Sequence, residues 1–167
     1  NAGILVYIGD CCKALLCGIV IRVVFDYISP DMVGMLVLYS GLGVVIGHTY
    51  PFYMDFRGGK GVAATSGAVI AFGDWRVILI CLAIFVSTVL ISRYMSFASL
   101  CVVTSFVINT ICWGQFDYVG LWTQPVAKDN LIETYILATC FAALVFYKHR
   151  ENIVRLVTGT ERKLGTP

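Results

Sequence analysis

The chain has 167 residues, of which 59% are hydrophobic and only 13% are charged, and its mean hydropathy is +0.84. Soluble domains carry about 25% charged residues, so this composition excludes a protein that faces water on all sides and predicts an integral membrane protein. The net charge of +2 is small, and without a basic stripe it gives no support for a nucleic-acid partner.

Five apolar stretches approach the roughly 20 residues that a helix needs to cross the hydrocarbon core of a bilayer. A sixth stretch, residues 61–72, is apolar but short, which suits a tilted helix or a half-helix that continues into the preceding loop. Its ends must then be covered by neighbouring helices, because lipid cannot satisfy bare backbone groups. We therefore predict an all-α, polytopic membrane helix bundle with six membrane segments. The five long stretches are residues 2–25, 32–47, 75–92, 97–113 and 131–147.

The first two segments contain residues that are unusual inside a membrane. Asp10 and Lys13 lie in the first segment, where charges are costly and usually paired. Their separation of three residues allows a mutual ion pair, with a substrate contact as the alternative. In the second segment, Gly43 and Gly47 form a G-x-x-x-G pattern, which predicts close helix packing.

Basic residues are distributed unevenly between the two predicted sides of the membrane. Six crossings place the loop at 48–60, the loop at 92–96 and the C-terminal tail on one side. These three regions contain eight of the Lys and Arg residues, against three for the opposite side. Because loops rich in Lys and Arg stay in the cytoplasm, we predict that the three regions share the cytoplasmic face.

The loop MDFRGGKGVAAT, residues 54–65, places one lysine among three glycines directly before an apolar run. Glycines allow backbone N–H groups to converge on an anion, and the start of the next helix adds a favourable dipole. The spacing is not that of a P-loop, in which Ser or Thr follows the lysine. The loop predicts a phosphate-binding turn, and an ordinary cytoplasmic turn is the alternative. The residues concerned are Gly58, Gly59, Lys60 and Gly61.

Other polar groups are predicted at the same face. His48 ends the second segment, where it either faces the pocket of the lysine or bonds to a loop carbonyl. His149 and Asn152 are three residues apart and share one helix face, where they either join a site or end a helix at the headgroups. The stretch SRYMSFAS adds pocket groups or, alternatively, a snorkelling arginine and small packing residues: Arg93, Ser96 and Ser99.

The sequence lacks the common hydrolase and zinc signatures, including G-x-S-x-G and H-E-x-x-H. The His-x-x-x-x-Asp pattern of thioester-dependent acyltransferases is also absent. The seven cysteines lie in apolar stretches and none forms a C-x-x-C pair, so we expect reduced thiols. We predict neither a metal site nor a cofactor.

Three stretches, GHTYPFYMDFRGGKGVAAT, RYMSFAS and YKHRENIVRLVTG, resemble in this order the bacterial membrane glycerol-3-phosphate acyltransferases that use acyl phosphate, the PlsY family. The resemblance runs along essentially the whole chain. It implies a seven-helix enzyme of the bacterial cytoplasmic (inner) membrane, with its site facing the cytoplasm. Such an enzyme transfers a fatty acyl group from acyl phosphate to glycerol 3-phosphate, which yields lysophosphatidic acid and phosphate, as the first step of bacterial phospholipid synthesis. The soluble enzyme that produces acyl phosphate is a further partner that the resemblance suggests.

Carried over residue by residue, the resemblance also implies the site. The implied catalytic residues are His149, Asn152 and Lys60. The implied phosphate-binding residues are Gly58, Gly59, Lys60, Gly61 and Ser99, and the supporting residues are His48, Arg57 and Arg93. The proton acceptor is either His149 or an oxygen of a substrate phosphate, and the sequence favours the phosphate oxygen.

One departure from the family concerns the start of the chain. The family has an earlier membrane helix and then a cytoplasmic loop of the type S-G-N-x-G-x-T-N, and neither occurs in residues 1–167. We interpret the chain as a single integral membrane domain that lacks these two parts. We expect it to be inactive alone, which acyl transfer by the purified 167-residue chain would refute. The alternative function is a non-catalytic transporter or binder of small phosphorylated compounds.

Overall fold

The computed structural model describes residues 2–116 and 126–165, and its regular structure in these ranges is entirely helical. Each of the five long predicted stretches agrees with a helix to within two residues at both ends, which confirms the predicted all-α class. Short 3-10 turns precede α2, follow α2 and precede α6. The α-helices are α1 (Ala2–Phe25), α2 (Val33–Thr49), α3 (Val62–Phe72), α4 (Trp75–Ser92), α5 (Met95–Gln115), α6 (Leu131–Lys148) and α7 (Arg150–Val157).

Five of the described helical regions are long and apolar enough to cross a membrane, and α3 is the short exception. Its 11 residues give a length of about 16 Å at ~1.5 Å per residue, roughly half of the ~30 Å hydrocarbon core. The six predicted segments are therefore five candidate spans and one half-length helix.

The short helix α3 packs between α1 and α2 through small residues. A side chain at Gly67 would collide with the backbone carbonyl of Cys11 in α1, and one at Gly41 of α2 would collide with Ala68. These close contacts let α3 sit deep in the bundle despite its length.

The predicted packing role of the G-x-x-x-G pattern is wrong. Gly43 and Gly47 are exposed, and a Cβ at either position would meet no atom within 4 Å in the described part of the chain. The close approach depends instead on small residues from three different helices, so a repeat within one helix does not predict it.

The C-terminal end of α3 is covered by α1, as a buried helix end requires. The guanidinium of Arg22 donates hydrogen bonds to the carbonyl oxygens of Ala71 at 2.6 and 2.9 Å and of Phe72 at 2.8 Å. These carbonyls lie in the last turn of α3, where no backbone N–H is available to them. Gly73 then turns the chain at a φ of 82°, and Asp74 caps α4 by accepting from the backbone N–H groups of the next turn.

Candidate functional site

The polar side chains that the sequence singled out gather at the end of the bundle where α2, α4 and α6 end. The Nζ atom of Lys60, in the loop before α3, donates to Oδ1 of Asn152 in α7 at 2.5 Å. Lys148, at the end of α6, donates to the carbonyl oxygen of Thr49 at 3.2 Å. These two contacts join the glycine loop and the end of α2 to the C-terminal helices.

Glu161, in the segment after α7, connects this cluster to the start of α5. Its Oε1 atom accepts from Asn152 Nδ2 and from Ser96 Oγ, both at 2.6 Å. Its Oε2 atom accepts from Arg155 Nε at 2.7 Å. Because a lysine donates and a carboxylate accepts, Lys60 and Glu161 fix the orientation of the Asn152 amide between them.

Lys60, Arg155 and Glu161 together carry one net positive charge. Burial alone would raise the pKa of Glu161, but hydrogen bonds from Ser96, Asn152 and Arg155 outweigh it and lower that pKa to about 2. The carboxylate is therefore ionised at neutral pH and offsets one of the two cations, Lys60 and Arg155. Burial lowers the pKa of Lys60, whereas the charge of Glu161 opposes this shift. Since Lys60 remains exposed, an anion can approach its ammonium group.

His149 is held in one tautomer at the junction of α6 and α7. The side chain is 2% exposed, and Nδ1 lies 2.8 Å from the carbonyl oxygen of Val145. Because a carbonyl only accepts, Nδ1 carries the hydrogen and Nε2 is the acceptor of the neutral ring. Burial lowers the pKa of His149, the hydrogen bond to Val145 opposes this, and the charge of Lys60 adds to it. The arrangement favours a neutral ring that can take up a proton at Nε2.

His48 connects the glycine loop to α1. Its Nδ1 atom lies 2.7 Å from Nζ of Lys13, which also donates to Oδ1 of Asp10 at 2.8 Å. The predicted ion pair between Asp10 and Lys13 is therefore confirmed. Because an ammonium only donates, Nδ1 of His48 accepts and Nε2 carries the hydrogen. The pair lies level with the last turn of α2, close to the loop end of the bundle.

The first two glycines of the loop are needed mainly for space. A Cβ at Gly58 would collide with the carbonyl oxygen of His48, and one at Gly59 would collide with the ring of His48. The N–H of Gly58 donates to the carbonyl oxygen of Thr49 at 3.2 Å and so holds the loop against α2. Among the three glycines, only Gly61 has a positive φ, 81°, and it forms the N-cap of α3.

Five of the predicted site residues keep their side chains outside the Lys60–Asn152–Glu161 contacts. Two of them, His48 and His149, are bonded to Lys13 and Val145 as described above. The other three are Ser99, Arg57 and Arg93. Ser99 is buried and donates to the carbonyl oxygen of Met95 within α5 at 2.8 Å. Arg57 and Arg93 are both exposed. Arg93 takes part through its backbone, because its carbonyl oxygen accepts from the N–H of Leu164 at 2.7 Å and so holds the C-terminal segment near the cluster.

Glu161 is the site residue that the sequence analysis missed, and Ser96 rather than Ser99 is the serine that contacts it. Ser96 was among the sequence candidates, but a lone acid in a charged tail gives no periodic or spacing signal. The one local cue is Gly159, whose positive φ of 71° turns the chain back after α7, as glycine commonly does at helix C-termini.

A largely apolar cavity of about 210 Å³ adjoins the cluster. Its walls come from α1, α3, α4, α5 and α6, and Leu82, which is 56% exposed, forms part of its rim. The cavity therefore extends to the side of the bundle. Its lining includes Val62, Ser99 and Val145, which lie two, three and four residues along the chain from Lys60, Ser96 and His149.

The fold and this site define a multi-pass helical membrane protein with a polar cluster at one end and an apolar cavity beside it. The family model described as glycerol-3-phosphate acyltransferase matches residues 1–159. The chain belongs to the glycerol-3-phosphate acyltransferase family, and it is therefore an acyltransferase that acylates glycerol 3-phosphate, a reaction of phospholipid synthesis.

The similar proteins agree with this assignment. A glycerol-3-phosphate acyltransferase of Clostridioides difficile is 34% identical over 171 residues, which cover 99% of this chain and 72% of the relative. A glycerol-3-phosphate acyltransferase of Halalkalibacterium halodurans is 35% identical over 153 residues, which cover 90% of this chain and 68% of the relative. The chain thus spans about seven tenths of the length of these two proteins.

Solved structures show the same fold. Crystal structures of PlsY (YgiH), an integral membrane glycerol 3-phosphate acyltransferase, match with 31% identity in a lysophosphatidic acid form and in a glycerol 3-phosphate form. The first has a TM-score of 0.78 and the match covers 99% of this chain and 74% of that one. The second has a TM-score of 0.79, with coverage of 99% and 72%.

Proposed function

We propose that the chain uses acyl phosphate as the acyl donor and converts glycerol 3-phosphate into lysophosphatidic acid, with release of inorganic phosphate. The observation that carries this proposal is the convergence of Lys60, Asn152 and His149 at one end of the bundle. The PlsY structures, which are in glycerol 3-phosphate and lysophosphatidic acid forms, support the same acceptor and product.

Lys60 supplies the charge that binds a substrate phosphate. Its contact with Asn152 at 2.5 Å joins side chain to side chain, so a phosphate oxygen can replace the amide oxygen as the partner of the ammonium. The start of α3, with Gly61 as its N-cap, adds the positive end of a helix dipole. Gly58 and Gly59 bring the loop flush against His48 and so set the position of the lysine.

The chemistry requires a positioned hydroxyl more than a protein nucleophile, because acyl phosphate is a mixed anhydride with a good leaving group. A hydroxyl oxygen of glycerol 3-phosphate attacks the acyl carbonyl carbon, and the bond between that carbon and the phosphate oxygen breaks. The hydroxyl proton passes to Nε2 of His149, and inorganic phosphate leaves. The fixed tautomer and the lowered pKa of His149 support this residue as the base over the substrate oxygen that the sequence favoured.

The orientation follows from the distribution of charge. The end of the bundle that holds Lys60 is also the end rich in Lys and Arg, eight residues against three, and such loops face the cytoplasm. We therefore propose a bacterial inner-membrane enzyme whose site faces the cytoplasm, where glycerol 3-phosphate is available. A soluble enzyme that produces acyl phosphate would then meet it at the same face.

The test is an assay of the full-length enzyme in bilayers with glycerol 3-phosphate and either palmitoyl phosphate or a palmitoyl thioester. We expect lysophosphatidic acid and an equimolar amount of phosphate from palmitoyl phosphate, and no product from the thioester. Product from the thioester alone would contradict the proposed donor. Uptake of glycerol 3-phosphate into vesicles without either product would favour the transporter instead.

A further inference from the structure

Thr65, in the second turn of α3, has a buried hydroxyl without a hydrogen-bond partner. The residue is 6% exposed. In the described part of the chain, its Oγ1 atom is the one buried side-chain polar atom that has no hydrogen-bond partner. An unsatisfied buried hydroxyl is destabilising, and such groups are rare in folded proteins. A ligand that supplies the missing partner would explain why a hydroxyl is present at this position.

Thr65 lines the apolar cavity that adjoins the polar cluster. Its backbone N–H donates to the carbonyl oxygen of Gly61 at 2.8 Å, so it lies one helical turn, about 5.4 Å, from the residue that follows Lys60. In an acyl phosphate, one bridging oxygen separates the phosphorus from the acyl carbonyl carbon. A phosphate bound at Lys60 with its acyl chain in the cavity therefore brings the carbonyl close to this turn of α3.

The two serines in the cavity wall already have partners. Ser66 donates to the carbonyl oxygen of Val62 at 3.0 Å, and Ser99 donates to that of Met95 at 2.8 Å. Both bonds lie within the residue's own helix. Among the described serines and threonines of the wall, Thr65 is thus the one whose proton is free for a ligand.

We propose that the hydroxyl of Thr65 donates a hydrogen bond to the acyl carbonyl oxygen of the bound fatty acyl group. This oxygen gains negative charge as the hydroxyl of glycerol 3-phosphate attacks, and a fixed donor in an apolar cavity stabilises that charge. The ester carbonyl of lysophosphatidic acid occupies the same position after the reaction. The inference rests on the proposed function in placing the acyl chain in this cavity, and it holds for any fatty acyl donor.

The test compares Thr65→Val, which removes the hydroxyl at constant shape, with Thr65→Ser, which retains it. We expect Thr65→Val to lower kcat by about 10²- to 10³-fold, with an unchanged KM for glycerol 3-phosphate, and Thr65→Ser to stay within about 3-fold of wild type. Because the hydroxyl is unpaired without ligand, Thr65→Val should unfold at the same temperature as wild type or higher.

Thr110→Val is the matched control. Thr110 is fully buried in α5, and its hydroxyl already donates to the carbonyl oxygen of Phe106 at 2.7 Å. This variant should keep the wild-type kcat. A second readout is the thermal shift that 1-palmitoyl-glycerol 3-phosphate produces, which should be smaller in Thr65→Val than in wild type and unchanged in Thr110→Val.

The results separate this inference from the proposed donor. If wild type uses the palmitoyl thioester instead of palmitoyl phosphate, the donor proposal fails, and the same comparison with the thioester still decides the role of Thr65. If neither donor reacts, the thermal shift with 1-palmitoyl-glycerol 3-phosphate decides it. Wild-type kcat and product binding in Thr65→Val, or equal losses in both Thr65 variants together with a lower unfolding temperature, would overturn the inference.

Discussion

The two ends of the bundle both hold charged side chains, but they use them differently. At the end that holds Arg22, the guanidinium is bonded to the backbone carbonyls that close α3, and Asp74 is bonded to the N–H groups that open α4. At the opposite end, Lys60, Asn152 and Glu161 are bonded to one another through side chains. The first end completes the backbone of the helices, whereas the second leaves contacts that a substrate can replace.

This difference predicts which substitutions affect stability and which affect function. Removing a side chain that completes a helix end leaves buried carbonyls unpaired, which costs stability. Removing the ammonium of Lys60 leaves the backbone hydrogen bonds of the helices intact and changes what the protein binds or converts. The variants below separate the two effects.

The largest effect is expected for His149→Gln. General-base catalysis contributes about 10²- to 10⁴-fold to a rate, so kcat should fall by a factor in that range. In wild type, burial lowers the pKa of His149 below 6.5, so the acid limb of the pH–rate profile should lie below pH 6.5 and vanish in the variant. A measured acid limb above pH 6.5, or one that persists in His149→Gln, would argue against this residue as the base.

Next in size is the contrast between Lys60→Met and Arg22→Met. Loss of one charge-assisted contact costs about 1.5–3 kcal/mol, so Lys60→Met should lower kcat/KM for glycerol 3-phosphate by about 10- to 150-fold. Its unfolding temperature should change little because Lys60 is exposed. Arg22→Met should do the reverse, with a lower unfolding temperature and an unchanged KM. The same phenotype in both variants would remove the distinction between the two ends.

A moderate effect is expected from Glu161→Gln on stability as a function of pH. The pKa of Glu161 is lowered from 4.5 to about 2 in the folded protein, so its contribution is fully present above pH 4.5 and is lost as the pH falls towards 2. The unfolding temperature of wild type should fall steadily as the pH decreases across this window. The variant should be less stable at pH 6 and should lose less on acidification. Parallel pH curves for the two proteins would show that the carboxylate is not held as described.

The smallest effect is expected for Lys13→Met, which acts on the site through His48. Without the donor to Nδ1, the ring that supports Gly59 is no longer fixed, so KM for glycerol 3-phosphate should rise by about 2- to 10-fold with little change in kcat. Lys13→Arg, which keeps a donor, should recover most of the affinity. A fall in kcat at constant KM in Lys13→Met would place the effect elsewhere.

Much of the fold could be predicted from the sequence because long apolar runs leave few alternatives in a membrane. The stretch 75–92 agrees with α4 at both ends, since Gly73 and Asp74 provide a clear stop and start. The packing of α3 was not predictable from one motif, because it involves three helices. Gly67 packs against the backbone of α1 at Cys11, and Ala68 packs against Gly41 of α2. Contacts of that kind depend on the arrangement of the helices.

The candidate site divides in a similar way. Lys60, His149 and Asn152 were identified through a family resemblance, and spacing alone left each of them with an ordinary alternative. Glu161 was missed because a single acid after the last helix has no pattern, although its three hydrogen bonds connect α5 with α7. The sequence also could not show that Gly58 and Gly59 leave room for His48, because that contact appears only in the folded structure.

The most direct test of the central claim is a structure of the full-length enzyme with glycerol 3-phosphate bound. We expect a phosphate oxygen about 2.7–2.9 Å from Nζ of Lys60, in place of the contact with Asn152, and an acceptor hydroxyl facing Nε2 of His149. A phosphate bound elsewhere, with Lys60 still donating to Asn152, would contradict the account.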